Sequence, residues 1–112
     1  MKYFAFLLFL VASFFMVETA WGQCYGDITL LTQEDVDNFV SDYGCSVIQG
    51  NLIIGDDSYP FEASDITSLS MLSTLEYIEG DFGIYRNPNL VNLTGLENLN
   101  YVAGLLDIHN GF

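Results

Sequence analysis

The chain has 112 residues, with 15 acidic side chains against two basic ones and a net charge of −13 at pH 7. Such a surface repels nucleic-acid phosphates and anionic lipid, which excludes a nucleic-acid-binding or membrane-surface role. We interpret the excess of carboxylates as a source of solubility.

The N-terminus has the pattern of a secretory signal peptide. An apolar run extends from Tyr3 to Val17, and the small residues Ala20 and Gly22 stand at positions −3 and −1 of a cleavage site. We therefore predict a leader over residues 1–22, removed by cleavage after Gly22. The alternative is a membrane anchor, but a spanning helix needs about 20 apolar residues, and Glu18 ends this run early.

Two cysteines, Cys24 and Cys45, follow the leader. In a secreted chain an even cysteine count predicts a disulfide, and closing a loop of about 20 residues contributes roughly 3 kcal/mol in the chain-entropy model. A metal site is a poorer alternative, because only His109 could join the two sulfurs and it lies far along the chain. We predict no metal and no cofactor.

Residues 23–46 are predicted to form an N-terminal cap held by that disulfide. Ile28 and Leu30 alternate with polar neighbours, which indicates a short strand. Thr32 has the character of a helix N-cap, and Gly44 that of a C-terminal stop. Between them, four apolar residues recur on one face of a short helix: Val36, Phe39, Val40 and Tyr43.

The rest of the chain, residues 47–112, repeats itself. The segment from Tyr77 to Ile84 returns 24 residues later as 101–108, and a looser copy lies 30 residues upstream at 47–54. A ladder of apolar residues follows the same 24-residue shift: Ile66, Leu69, Leu72 and Leu75, then Leu90, Leu93, Leu96 and Leu99. A fixed period of 20–30 residues with apolar positions in register is typical of a solenoid. We predict repeats truncated in the third unit, and further repeats in a longer parent chain.

Each repeat contains a strand with alternating apolar residues. The predicted inward positions are Leu52, Ile54, Phe82, Ile84, Leu106 and Ile108. A glycine precedes each strand, at positions 50, 80 and 104, and we attribute it to a tight corner that needs an unusual backbone angle. The predicted fold class is therefore a β-solenoid with a short N-terminal capping helix.

The outward positions of these strands are the candidate binding face. They include Ile53, Asp81, Tyr85, Asp107 and His109, and Tyr85 is the predicted anchor because aromatic residues dominate binding hot spots. Tyr59 and Phe61, in an insertion of the first repeat, could rim this face. The alternative is that Tyr85 and Ile53 merely cover the strand surface.

Two further features have a functional and a simpler interpretation. Asp56, Asp57, Glu62 and Asp65 form an acidic loop over 56–65, which is either a calcium site or a solvated loop. Asn92 begins an Asn-Leu-Thr sequon, which is either a glycosylation site or simply one element of the repeat.

The run from Cys45 to Ile54, Cys-Ser-Val-Ile-Gln-Gly-Asn-Leu-Ile-Ile, resembles the start of a receptor L-domain, a module related to leucine-rich repeats. The segment from Asp81 to Leu99 is most similar to versions found on secreted bacterial surface proteins. The resemblance implies a right-handed β-helix-like solenoid outside the cell, and Cys24 fits the family's upstream cysteine. Because a complete L-domain is longer, it also implies a parent chain with more repeats.

The leading hypothesis is a secreted or cell-surface recognition module without catalytic activity that binds a protein or a glycan. The second is a structural spacer or wall-associated repeat with no discrete ligand. The third is a fragment of a carbohydrate-active β-helix enzyme, which would need a groove across more repeats than this length provides. No transmembrane segment is expected after removal of the leader.

Overall fold

The computed structural model describes residues 22–56 and 63–109. The predicted leader falls on residues 1–21 and Gly22, so all of it except Gly22 lies outside the described residues. The strands of the described part are β1 (Gly22–Tyr25), β2 (Ile28–Leu30), β3 (Cys45–Gln49), β4 (Leu52–Gly55), β5 (Tyr77–Ile78), β6 (Phe82–Tyr85), β7 (Tyr101–Val102) and β8 (Leu106–His109). Two short helices, α1 (Gln33–Asp37) and α2 (Phe39–Asp42), and a 3-10 turn at Ser70–Leu72 complete it. Neither helix in these ranges has the length needed to cross a bilayer.

The strands assemble into two four-stranded sheets. The first sheet has the order β1-β3-β5-β7, the second has the order β2-β4-β6-β8, and every pair is parallel. In the second sheet Leu52 pairs with Phe82, and Phe82 with Leu106. These are the shifts of 30 and 24 residues seen in the sequence, so the repeat records the register between neighbouring parallel strands.

The prediction of a β-solenoid with one short capping helix is wrong. The strands belong to two separate parallel sheets, and two short helices occur where one was expected. The physical reason is that the period specifies which residues pair across strands. It does not specify how many sheets the paired strands form. The helix is divided at Asn38, whose φ of −92° and ψ of 6° leave the helical region.

Strand pairing begins upstream of the first recognised repeat. Ile28, Thr29 and Leu30 pair in register with Leu52, Ile53 and Ile54. The sequence signal for this pairing is present but faint, since Gly-Asp-Ile-Thr-Leu at 26–30 parallels Gly-Asn-Leu-Ile-Ile at 50–54.

The N-cap prediction at Thr32 is confirmed. The Thr32 hydroxyl accepts a hydrogen bond from the backbone N–H of Asp35 (3.0 Å), and the Asp35 carboxylate accepts one from the N–H of Thr32 (3.2 Å). This reciprocal pair satisfies two donors that a helix start otherwise leaves open. At the other end, Gly44 has φ of 60°, as the predicted helix stop requires.

The core lies between the two sheets and the segment that carries the apolar ladder. Its buried residues include Leu52, Ile54, Phe82 and Ile84 from the second sheet, together with Ile66, Leu69, Leu72 and Leu75. The helices contribute Val36 and Phe39.

The last repeat does not share this burial. Leu106 and Ile108, predicted to be inward, are 60% and 45% exposed, because β8 is the final described strand of its sheet. With Phe82, Leu96 and Leu99 they line an open apolar cavity of about 170 Å³.

The predicted disulfide is confirmed. Cys24 and Cys45 are bonded, with their Cα atoms 5.8 Å apart. The bond joins β1 to β3, which are neighbours in the first sheet.

The predicted reason for the repeated glycines is wrong. Gly50, Gly80 and Gly104 do not have positive φ angles. A Cβ on Gly80 would instead lie 2.7 Å from the carbonyl oxygen of Gly50, and one on Gly104 would lie 2.8 Å from that of Gly80. Glycine is required at these positions because successive repeats approach each other too closely for a side chain.

Candidate functional site

The strand register brings most of the predicted face together on the outer side of the second sheet. Ile53 pairs with Gly83, and Gly83 with Asp107. In the next row, Tyr85 pairs with His109. Residues from three strands therefore form one surface.

Three of these side chains form a polar cluster around Asp107. The Tyr85 hydroxyl donates to Asp107 Oδ2 over 3.4 Å, and His109 Nε2 lies 3.4 Å from Asp107 Oδ1. The Tyr85 and His109 rings are 6.1 Å apart between centroids. The side chains of His109 and Asp107 are 66% and 44% exposed. The cluster thus presents an aromatic ring, an imidazole and a carboxylate to solvent.

The Tyr85 ring is positioned by Gly83. A Cβ on Gly83 would lie 2.5 Å from ring atoms of Tyr85, so the ring extends back over the glycine of its own strand. Tyr85 is half-buried as a result, and its hydroxyl reaches Asp107, the residue paired with Gly83. An aromatic ring placed over a strand glycine in this way also stabilises the sheet surface.

Asp81 is not part of this cluster. Its Oδ1 accepts a hydrogen bond from the backbone N–H of Leu105 at 2.8 Å, in the turn before β8. Asn51 Oδ1 accepts in the same way from the N–H of Asp81 at 2.7 Å, and Asp27 Oδ1 from the N–H of Asn51 at 3.0 Å. The contacts of Asp81 therefore link one repeat to the next.

The rim residues Tyr59 and Phe61 lie outside the described residues, as do Asp57 and Glu62 of the acidic loop. Asp65 Oδ1 accepts from the backbone N–H of Gln33 at 2.9 Å. Within residues 22–56 and 63–109, no three His, Cys, Asp or Glu side chains come together as a metal-binding group.

Asn92 is exposed, and its Oδ1 accepts from the backbone N–H of Thr94 at 3.1 Å. The sequon therefore forms a turn at the surface. Glycosylation of Asn92 stays a prediction.

Sequence reasoning missed the aromatic surface of the first sheet. Tyr77 and Tyr101 pair in register, and their rings stack with centroids 4.7 Å apart and planes 16° from parallel. The signal was present, because both tyrosines open the 24-residue echo. It was overlooked because the strands were assigned to a single sheet.

The family described as Receptor L domain matches residues 44–111 of the chain. Receptor L domains are extracellular ligand-binding domains without enzymatic activity. No curated protein and no solved structure gives a significant match.

Proposed function

The chain belongs to the receptor L domain family, and from that premise we propose that it is a secreted or cell-surface module that binds a protein or a glycan. The proposed contact surface is the outer side of the second sheet. The family supplies the class of function, and the disulfide is consistent with an extracellular location.

The observation that carries the choice of surface is the cluster of Tyr85, Asp107 and His109. Tyrosine offers a large rigid contact area with a polar tip, and it is enriched in binding hot spots. Asp107 supplies an acceptor, and His109 supplies a ring that donates or accepts according to its protonation. Ile53 adds an apolar neighbour on the next strand.

The ring of Tyr85 is held in place before any ligand arrives. It lies over Gly83 and is bonded to Asp107 through its hydroxyl. A side chain that is already ordered loses less conformational entropy on binding. This favours Tyr85 as the anchor of the surface.

The test begins with the secreted chain immobilised and probed against a glycan array and a set of extracellular proteins. For a partner found there, Tyr85→Ala should weaken binding by more than about 1 kcal/mol, roughly fivefold or more. Val91→Ala is the matched control, because Val91 is 83% exposed and lies outside the strands.

The competing function is a spacer, in which Tyr85 serves only to cover Gly83. In that case neither probe set gives saturable binding. An affinity unchanged by Tyr85→Ala, with binding present, would move the contact surface elsewhere.

Secretion is tested separately from binding. The exported product should begin at Gln23, as measured by intact mass or N-terminal sequencing. A product that retains the apolar run of residues 3–17 would show that the leader is not removed.

A further inference from the structure

The outer side of the first sheet carries a second surface, separate from the one proposed above. One row of paired residues runs across its four strands: Gln23, Val47, Tyr77 and Tyr101. Tyr101 is 49% exposed and Tyr77 is half-buried. Their 4.7 Å separation equals the usual spacing of neighbouring strands, so the rings stand side by side with their edges turned to solvent.

A carboxylate lies beside this tyrosine pair. Glu79 is exposed and follows Tyr77 by two residues, which places both on the same side of an extended chain. The backbone of Glu79 keeps the sheet pattern, since its N–H donates to the carbonyl of Ile48 at 2.8 Å. Desolvation raises the pKa of Tyr77, and the nearby Glu79 and Tyr101 raise it further. Both the carboxylate and the second phenol are therefore close to the Tyr77 hydroxyl.

No basic side chain of the described residues serves this surface. Arg86 and His109 are the described residues that can carry positive charge, and both belong to the second-sheet side, where the N–H of Arg86 donates to the carbonyl of His109. Over residues 22–56 and 63–109, the recorded ion pair joins His109 to Asp107 and does not involve Glu79. The surface thus offers aromatic rings, phenol oxygens and an unneutralised carboxylate.

We propose that Tyr77, Tyr101 and Glu79 form a docking site for an arginine side chain of a basic partner protein. A planar guanidinium packs on tyrosine and donates two parallel hydrogen bonds to a carboxylate, which the compact ammonium of lysine does not do. The net charge of −13 supports the choice of a basic partner, because it steers positively charged surfaces toward this chain. It also disfavours a second copy of the chain as the occupant.

The neighbouring residues suit a protein partner. Gln23 and Gln49 are exposed and hydrogen-bonded to each other, and Tyr25 is 79% exposed and donates to Gln23 Oε1 at 3.2 Å. Amide and tyrosine side chains around a charged centre are typical of adaptable protein-binding surfaces. The site faces outward from the sheet, so a further strand paired with β7 would leave it accessible.

The experiment uses the secreted chain and two synthetic probes, a glycine-serine peptide with three arginines and its counterpart with three lysines. Affinities are measured by titration calorimetry at 150 mM salt, which screens non-specific attraction to an acidic protein. We expect the arginine peptide to bind at least threefold more tightly than the lysine peptide. Glu79→Gln and Tyr101→Ala should each remove that preference.

Two variants keep the result interpretable. Tyr101→Phe retains the ring and should retain most of the preference, even if Tyr101→Ala perturbs the sheet. Glu34→Gln removes an exposed carboxylate from α1 and should leave the preference unchanged. Equal affinities for the two peptides, or a preference that survives Glu79→Gln, would overturn the proposal. Neither outcome bears on Tyr85 and the second sheet.

Discussion

The side chain of Asp81 accepts a hydrogen bond from the backbone N–H of Leu105, 2.8 Å away and 24 residues further along the chain. The same bond runs from the N–H of Asp81 to Asn51, and from the N–H of Asn51 to Asp27. Each repeat therefore uses an Asp or Asn side chain to satisfy a turn amide of the repeat that follows. This row of bonds fixes the spacing of the turns that separate the two sheets.

Replacing one member of this row should lower stability. Asn51→Leu leaves the N–H of Asp81 without its acceptor, which we expect to cost about 1 kcal/mol because water reaches this exposed turn. Asn51→Asp keeps the acceptor and is the matched control. Urea unfolding of the two variants measures the difference, and equal midpoints would show that the hydrogen bond contributes nothing.

Asn87 should be far less replaceable than its neighbour Asn89. It is fully buried, its Nδ2 donates to the carbonyl of Ile54 at 3.2 Å, and its Oδ1 accepts from the hydroxyl of Ser64. Asn87→Leu leaves both groups unsatisfied inside the protein, at a cost of about 2 kcal/mol or more. Asn89→Leu, at an exposed position, should change the free energy of unfolding by about 0.5 kcal/mol or less. Comparable losses would mean that burial of Asn87 does not matter.

Gln33 should hold the segment after the acidic loop against α1. Its Oε1 accepts from the backbone N–H groups of Thr67 (2.7 Å) and Ser68 (3.0 Å), and its Nε2 donates to the carbonyl of Ser68 (3.0 Å). In Gln33→Ala, amide hydrogen exchange at Thr67 and Ser68 should accelerate, because both amides lose their acceptor. Gln33→Glu retains the acceptor and should protect them better. Unchanged exchange in both variants would contradict this role.

Gly83→Ala should displace Tyr85 with little loss of stability. The added Cβ meets the far end of the tyrosine side chain, which can rotate away, rather than the backbone. Ring-proton shifts of Tyr85 should change and its contact with Asp107 should be lost. The melting temperature should move by only a few degrees. Binding to any partner of the second sheet should weaken as in Tyr85→Ala, and a ring that stays in place would argue against the positioning by Gly83.

Removing the disulfide should have the largest effect on stability among these changes. The bond closes a loop between residues 21 apart in sequence, and the chain-entropy model assigns about 3 kcal/mol to a loop of this size. The double variant Cys24→Ser with Cys45→Ser should unfold at a correspondingly lower urea concentration than the oxidised protein. Non-reducing peptide mapping checks the pairing, and two free thiols in the exported protein would contradict it.

The sequence by itself determined the features that depend on local pattern. Alternation predicted the buried positions Leu52, Ile54, Phe82 and Ile84, and the composition around Thr32 predicted a helix start. The 24-residue echo predicted which residues lie side by side, since parallel strands with equal connections pair at a constant shift. The cysteine pair followed from their number and the leader.

Only the tertiary structure decided how the paired strands are distributed. Because the number of sheets depends on the path of the turns and on packing between distant segments, the predicted solenoid was wrong, and the stacked pair Tyr77 and Tyr101 was not recognised as a surface. The role of Asp81 and the burial of Asn87 were hidden for the same reason. Each depends on a partner 23 to 33 residues away, and no local periodicity specifies which atom of that partner comes within hydrogen-bonding distance.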